Sequence, residues 1–414
     1  MGVGRNDGWT PADECRVDGR AIRQGSVSTR FLADSVLVPA GPVSPGAVVV
    51  SDDGRIEAAG APDEMPAGET VISLEGCTLA PGFIDVHTHG GGGITFGTPG
   101  REAEDLAEYS AWVTRTGVTG FLCSVAAPDS RALVEVVRRY ARALDRGVAG
   151  ARALGLHLEG PFLSPARKGA FNPAWLRPPS RDEVLACLEA GGGWVRQMTL
   201  APELPGGLEI ARLLRERGVV VALGHSDAGF EAACAALEGD FTHVTHTFNA
   251  QRGFGHREPG ALGAVLVSEN VTAELIADTI HVHPGAMKLL VRCLGAGRVV
   301  LVSDAMAGAG LADGMYDLVG HAVRVSGGRA TLADGTLAGS TALMNECVRN
   351  LARCTGLPLH EAVKAASANP ARLLGVGKRL GSLEPGKDAN LVAFDDEVRV
   401  RLVMVQGRVV FRDR

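Results

Sequence analysis

His87 and His89 stand one residue apart in the segment PGFIDVHTHG (81–90), behind an apolar run and before a glycine patch that reaches Gly93. That profile predicts a short buried strand running into a loop. Side chains alternate faces along a strand, so Asp85, His87 and His89 are expected on one face, with two imidazoles leaving the strand end side by side. The same arrangement, a polar residue closing an apolar run, recurs at Glu159 in HLEGP, His225 in LGHSD, His246 in THTFNA and Asp304 in VSDA. Singly, each reads as a helix cap, a rim charge or a loop histidine. Jointly, four imidazoles and two carboxylates suit Zn²⁺, Fe²⁺, Mn²⁺ or Co²⁺, and without thiolate ligands they do not describe a structural zinc site. The chemistry is metal-assisted hydrolysis, because a bound divalent ion lowers the pKa of its water to about 7 and polarises a carbonyl. Asp304 is the candidate acid/base, taking the water proton and returning it to a leaving amine.

These residues need a scaffold that brings strand ends together. Eight apolar segments alternate with helical patterns: PGFIDVHTH, VTGFLCSV, ARALGLHLEG, WVRQMTL, VVVALGHSD, DFTHVTH, VTAELIAD and RVVLVSDA. Repeated strand–helix units over this length predict an α/β chain with a (β/α)₈ TIM-like barrel across 79–379, whose active site lies where the C-terminal strand ends meet. A doubly wound open sheet is the alternative. Valine-rich alternation around turn signals at 31–78 and 380–414 predicts a small β-sandwich domain built from both chain ends. A strand-like insertion at 316–335 is expected to join it. Residues 1–30, polar and Gly-rich, are expected to form a disordered extension.

Bulk composition sets further limits. Forty-one basic and 47 acidic residues leave a net charge of −6 without long single-sign blocks, so no nucleic-acid footprint is present. No apolar run reaches membrane-span length, which predicts no membrane partner. Eight scattered cysteines contain no Cys-x-x-Cys pair and are expected to be reduced thiols of a cytoplasmic protein.

The ordered set of His87-x-His89, His225, His246 and Asp304 resembles the amidohydrolase superfamily. Within it, GLHLEGPFLSPARKGAFNP (155–173), HREPGALGA (256–264), IADTIHVHP (276–284), VSDAMAGAG (302–310) and LAGSTALM (337–344) resemble the N-acetylglucosamine-6-phosphate deacetylase family. The likeness runs over nearly everything after Phe31. It implies that His87, His89 and Glu159 hold one ion with Asp304 close by, and that Glu159 bridges to a second ion held by His225 and His246. It also implies substrate contacts from Ala170, Asn249, Ala250 and Leu337. Arg257 and His281 are implied as the phosphate site, His281 from a neighbouring subunit of a homodimer. The remaining histidines, 157, 243, 256, 283, 321 and 360, are read as packing or surface residues.

The activity so implied is hydrolysis of the acetamide of N-acetyl-D-glucosamine 6-phosphate, releasing D-glucosamine 6-phosphate and acetate in amino-sugar catabolism and cell-wall recycling. The alternatives are another N-acyl amino sugar, such as N-acetylgalactosamine 6-phosphate, and a metal-free scaffold. Two positions depart from the pattern. Phe171 replaces a histidine of the family's Lys-Gly-x-His-Asn-Pro segment, and Gln251 follows Asn249-Ala250 where methionine is usual.

Overall fold

The computed structural model describes residues 28–66, 70–318 and 320–413. The expected extension therefore falls outside the described residues up to position 27. Beyond that point the expectation fails, because Thr29 and Arg30 already pair with Val50 and Val49 in a strand, Thr29–Val38.

The eight apolar segments form one barrel of parallel strands. They are β1 (Phe83–Thr88), β2 (Val118–Val125), β3 (Arg152–Glu159), β4 (Val195–Leu200), β5 (Val220–Leu223), β6 (His243–Val244), β7 (Thr272–Ile276) and β8 (Val299–Val302). Each neighbours the next in sequence order. The ring closes where the Asp304 N–H, just beyond β8, donates to the carbonyl of His87 on β1 at 2.9 Å. The doubly wound alternative is thereby set aside. Helices cover the outside through apolar stripes. Leu133, Val136, Val137, Tyr140 and Leu144 of the helix Ser130–Arg146 join one core with Phe121, Cys123 and Val125 of β2. Asp129 caps that helix by accepting from the Ala132 N–H at 2.8 Å.

A second, eight-stranded sheet unites the chain ends. Its strand Thr70–Pro81 lies parallel to Thr29–Val38 and antiparallel to Leu391–Phe394. Pairing of Thr78–Pro81 with Leu391–Phe394 carries this sheet past position 78, so the expected boundary moves to about Gly82. Phe31, Val48, Ile56, Leu79, Leu391 and Met404 pack as its own core. Asp388, buried between the two bodies, accepts from Arg55 at 2.9 Å, Arg152 of β3 at 3.2 Å and Arg379 at 3.0 Å.

The segment expected to join that sheet does not. Gly314–Leu318, His321–Ser326 and Arg329–Thr331 form a separate antiparallel sheet. Its inward residues Leu318, Val323, Val325 and Ala330 pack on Met306 and Ala338 after β8, with Ala170 against them. Burying that apolar face at the barrel mouth outweighs pairing with a distant sheet edge. No helix among the described residues is long and apolar enough to cross a membrane, and each described cysteine is a free thiol.

Candidate metal centre

The strand ends carry the polar side chains inward because the chain turns sharply there. His225, His246 and Asp304 all have positive φ, at 47°, 24° and 48°. Non-glycine residues in this region cost on the order of 1–3 kcal/mol each, strain that clusters at functional sites. The result is two groups of buried donors, His87–His89–Asp304 and Glu159–His225–His246, with the ligand atoms of each within 4.8 Å of one another. Glu159 joins the two. Its Oε1 lies 3.1 Å from Nε2 of both His225 and His246 and 3.5 Å from His87 Nε2, and its Oε2 lies 3.0 Å from His89 Nε2. Asp304 Oδ1 is 3.4 Å from Nε2 of His87 and of His89.

The outer nitrogens of the imidazoles decide what the inner ones can do. His87 Nδ1 meets Glu274 Oε2 at 2.8 Å, and His225 Nδ1 meets the Arg167 carbonyl at 2.8 Å. Both partners are acceptors, so each Nδ1 carries the proton and each Nε2 presents a lone pair. The Nε2 atoms of His225 and His246 are only 3.0 Å apart, and both face a carboxylate oxygen. His225 Nε2 and the Glu159 oxygen are both acceptors, a buried pairing that is repulsive until a cation lies between them. The donor set fits divalent ions of the zinc, iron, manganese or cobalt type.

Protons compete for the same lone pairs. Burial disfavours charged His89, yet the hydrogen bonds and charges of Asp304 and Glu159 carry its pKa to about 9. Burial pushes Glu159 up, but His87, His225 and His246 hold it well below the ordinary carboxylate range. His157, beneath the site, is driven down to about 3 by burial and the nearby His87 charge. It stays neutral between Ser124 at 2.9 Å and Thr199 at 2.7 Å, in keeping with a packing role. Asp85 does not join the cluster. The register shifts between Asp85 and Thr88, breaking simple alternation, and its carboxylate accepts from the Ser303 hydroxyl at 2.5 Å.

The amidohydrolase family pattern matches residues 78–410. The chain belongs to the amidohydrolase family. It is 35% identical over 387 residues to the N-acetylglucosamine-6-phosphate deacetylase of Bacillus subtilis (strain 168), covering 92% of this chain and 97% of that one. It is 38% identical over 345 residues to the N-acetylgalactosamine-6-phosphate deacetylase of Escherichia coli O157:H7, covering 83% and 90%. Among solved structures, N-acetyl-D-glucosamine-6-phosphate deacetylase from Mycobacterium smegmatis in complex with N-acetyl-D-glucosamine-6-phosphate superposes with a TM-score of 0.86. That match has 36% identity and covers 92% of this chain and 99% of that one. The family resemblance read in the motifs is thus borne out.

Above the donors this amidohydrolase has a cavity of about 270 Å³. Ala170, Asn249, Ala250, His281 and Leu337 line it; Arg257 does not, and lies exposed on the loop after the sixth strand. His281 reaches the cavity of its own chain, where Asp278 Oδ2 holds its Nδ1 at 2.6 Å. Phe171 stands edge-on to the His225 ring, with centroids 5.2 Å apart at 89°. Gln251 is buried and donates to the Thr245 carbonyl at 2.9 Å, bracing the loop.

Three site residues were not anticipated. Trp175 and His321 line the cavity with ring centroids 6.1 Å apart, so His321 is not mere packing. Its position depends on the separate hairpin, which no local pattern announces. Glu274, on β7, is fully buried beneath the donors. Its signal was a charged residue in the apolar run VTAELIAD, since an unpaired buried carboxylate is too costly to keep without partners.

Proposed function

We propose that this amidohydrolase removes the acetyl group from an N-acetylated hexosamine 6-phosphate, N-acetyl-D-glucosamine 6-phosphate foremost, giving the free amine and acetate. The observation that carries the reading is the meeting of six buried donors, Asp304 among them, at the floor of a sugar-sized cavity. His87, His89, Glu159, His225 and His246, with Asp304, would hold one or two divalent ions, Glu159 spanning both groups. A bound ion supplies Lewis acidity toward the acetamide carbonyl and makes water acidic enough to yield its proton near neutral pH.

The chain's own residues supply the rest. Without an ion, burial raises the Asp304 carboxyl but charged His87 and His89 hold it below the ordinary carboxylate range, so even there it is ionised and available as a base. Asp304 takes a proton from the attacking water and passes it to the departing nitrogen, so that the amine leaves neutral. Asn249 and the Ala170 and Ala250 segments orient the sugar, and Leu337 and Phe171 give the cavity apolar wall. His281, braced by Asp278, faces the phosphate.

Among the described residues no lysine or arginine lines the cavity. A phosphate needs more positive charge than His281 offers, and arginine's fork suits it. The exposed Arg257 therefore serves the cavity of a neighbouring copy in a homodimer, which reverses the expectation that His281 crosses over. A second reading, the galactosamine epimer, is favoured by the 38% identity to the Escherichia coli relative. The test is acetate release from a panel of N-acylated hexosamines, with and without the 6-phosphate, against measured ion content. Turnover confined to ion-loaded protein and 6-phosphorylated N-acetyl sugars supports the proposal; equal turnover of unphosphorylated amides refutes it.

A further inference from the structure

Glu274 belongs to neither donor group, yet groups around both of them fill its acceptor sites. Oε2 takes His87 Nδ1–H at 2.8 Å and the backbone N–H of His246 at 2.9 Å. Oε1 takes the Gln197 amide at 2.8 Å and His243 Nε2 at 3.1 Å. A carboxylate offers about four such sites, so none is spare. We infer that Glu274 is the positioning residue of the metal centre, aligning one ligand in each group through a single oxygen. The inference rests on reading the six donors as ion ligands.

The two bonds to Oε2 do different things. The first fixes His87 as the Nδ1–H tautomer, leaving Nε2 free to bind. The second pins the backbone of His246 where φ is 24°, a conformation the residue does not adopt unaided. The oxygen is itself fixed from below. His243 is held on its other side, its Nδ1 lying 2.7 Å from Thr272 Oγ1 and 3.1 Å from the Thr272 carbonyl, so its ring is fixed with Nε2 toward Glu274. The Gln197 amide oxygen is buried without a partner, so that side chain is oriented for its NH₂ group. Outer-sphere carboxylates of this kind set both tautomer and ring direction of ligating histidines.

The test is Glu274→Gln, which keeps the shape but must turn an NH₂ group toward a donor on one side or the other. Either way His87 loses its carboxylate acceptor: an NH₂ on that side drives the proton to Nε2, where it blocks the ion, and an amide oxygen there holds Nδ1–H more weakly than a carboxylate does. In chelator competition the affinity for Zn²⁺ should fall about 10–100-fold. Nitrogen-15 spectra of histidine-labelled, zinc-loaded protein should show the His87 Nδ1–H signal shifted as its acceptor weakens from carboxylate to amide, whereas a purely structural role would leave it in place. The loss of zinc affinity should be smaller when Glu274→Gln is made in a His87→Ala background, as a double-mutant cycle requires of coupled residues. Folded Glu274→Gln with wild-type zinc affinity, or an equal loss in both backgrounds, overturns the inference. If Glu274→Gln does not fold, Gln197→Met, which touches no proposed ligand, should still weaken zinc several-fold; unchanged affinity there overturns it. Wild-type protein that takes up no zinc removes the underlying metal reading and this inference with it, whereas normal wild-type uptake beside unaffected variants overturns the inference alone.

Discussion

Replacing Asp304 by asparagine separates proton transfer from the architecture around it. Asp304 sits at φ 48° and is nearly buried, with Oδ1 3.4 Å from both His87 and His89. Asparagine is one of the few residues that adopt such a φ readily, and it keeps a carbonyl oxygen where Oδ1 was, so neither backbone nor shape should change. What is lost is the capacity to accept a proton and return it. General acid–base catalysis contributes about 10²–10⁴-fold, so kcat should fall by that factor, or about 3–5 kcal/mol at about 1.4 kcal/mol per decade. The assay is initial-rate acetate release with ion content measured on the same sample. Retention of ions with a kcat within about threefold of wild type would refute the assignment, since general acid–base loss is expected to be far larger.

Further outcomes follow from the same geometry. Arg257→Ala should raise KM for a 6-phosphorylated sugar at least about tenfold, the loss of a charge-assisted bond, while leaving kcat and unphosphorylated amides nearly unchanged; steady-state kinetics on both substrates checks this. Phe171→His adds a donor to the cavity wall beside His225 and should lower KM about two- to tenfold, the worth of one hydrogen bond to the acyl group; an unchanged KM would place residue 171 away from the acyl group. In chelator-stripped protein His89 is raised to about 9 from about 6.5. Its stabilisation is then complete below about pH 6.5 and lost as pH rises through about 9, so Tm by calorimetry should fall across that window, and ion-loaded protein should not share the decline. Asp388→Ala removes the carboxylate that three arginines share at the joint between barrel and end sheet and should cost about 1.5–3 kcal/mol in urea unfolding.

Much of this was legible because barrel strands are local events. Each is an apolar run ended by a polar residue, so PGFIDVHTH and RVVLVSDA announced both a strand and the residue at its tip. What the tips do to one another is not local. The positive φ at His225, His246 and Asp304 accompanies ring closure, and the cavity wall at His321 follows from an apolar hairpin face that Met306 and Ala338, distant along the chain from the first strands, cover with Ala170. Glu274 was hidden for another reason. Its partners come from three other parts of the chain, His87 on β1, Gln197 on β4, and His243 and His246 at β6, so no spacing in the sequence distinguishes it from an error in a strand pattern. Arg257 and His281 were named as one phosphate site, yet only His281 lines the cavity, while Arg257 lies exposed on the loop after the sixth strand, a placement that no spacing in the sequence encodes.

The central claim is that Glu159, His225 and His246, with His87, His89 and Asp304, share divalent cations. Anomalous diffraction from crystals grown with Zn²⁺ and recorded at the zinc edge tests it most directly. The account predicts a peak within about 2.0–2.2 Å of Glu159 Oε1, His225 Nε2 and His246 Nε2, with any second peak beside His87, His89 and Asp304. Peaks confined to other surfaces, with these six side chains free of any anomalous density, would contradict it.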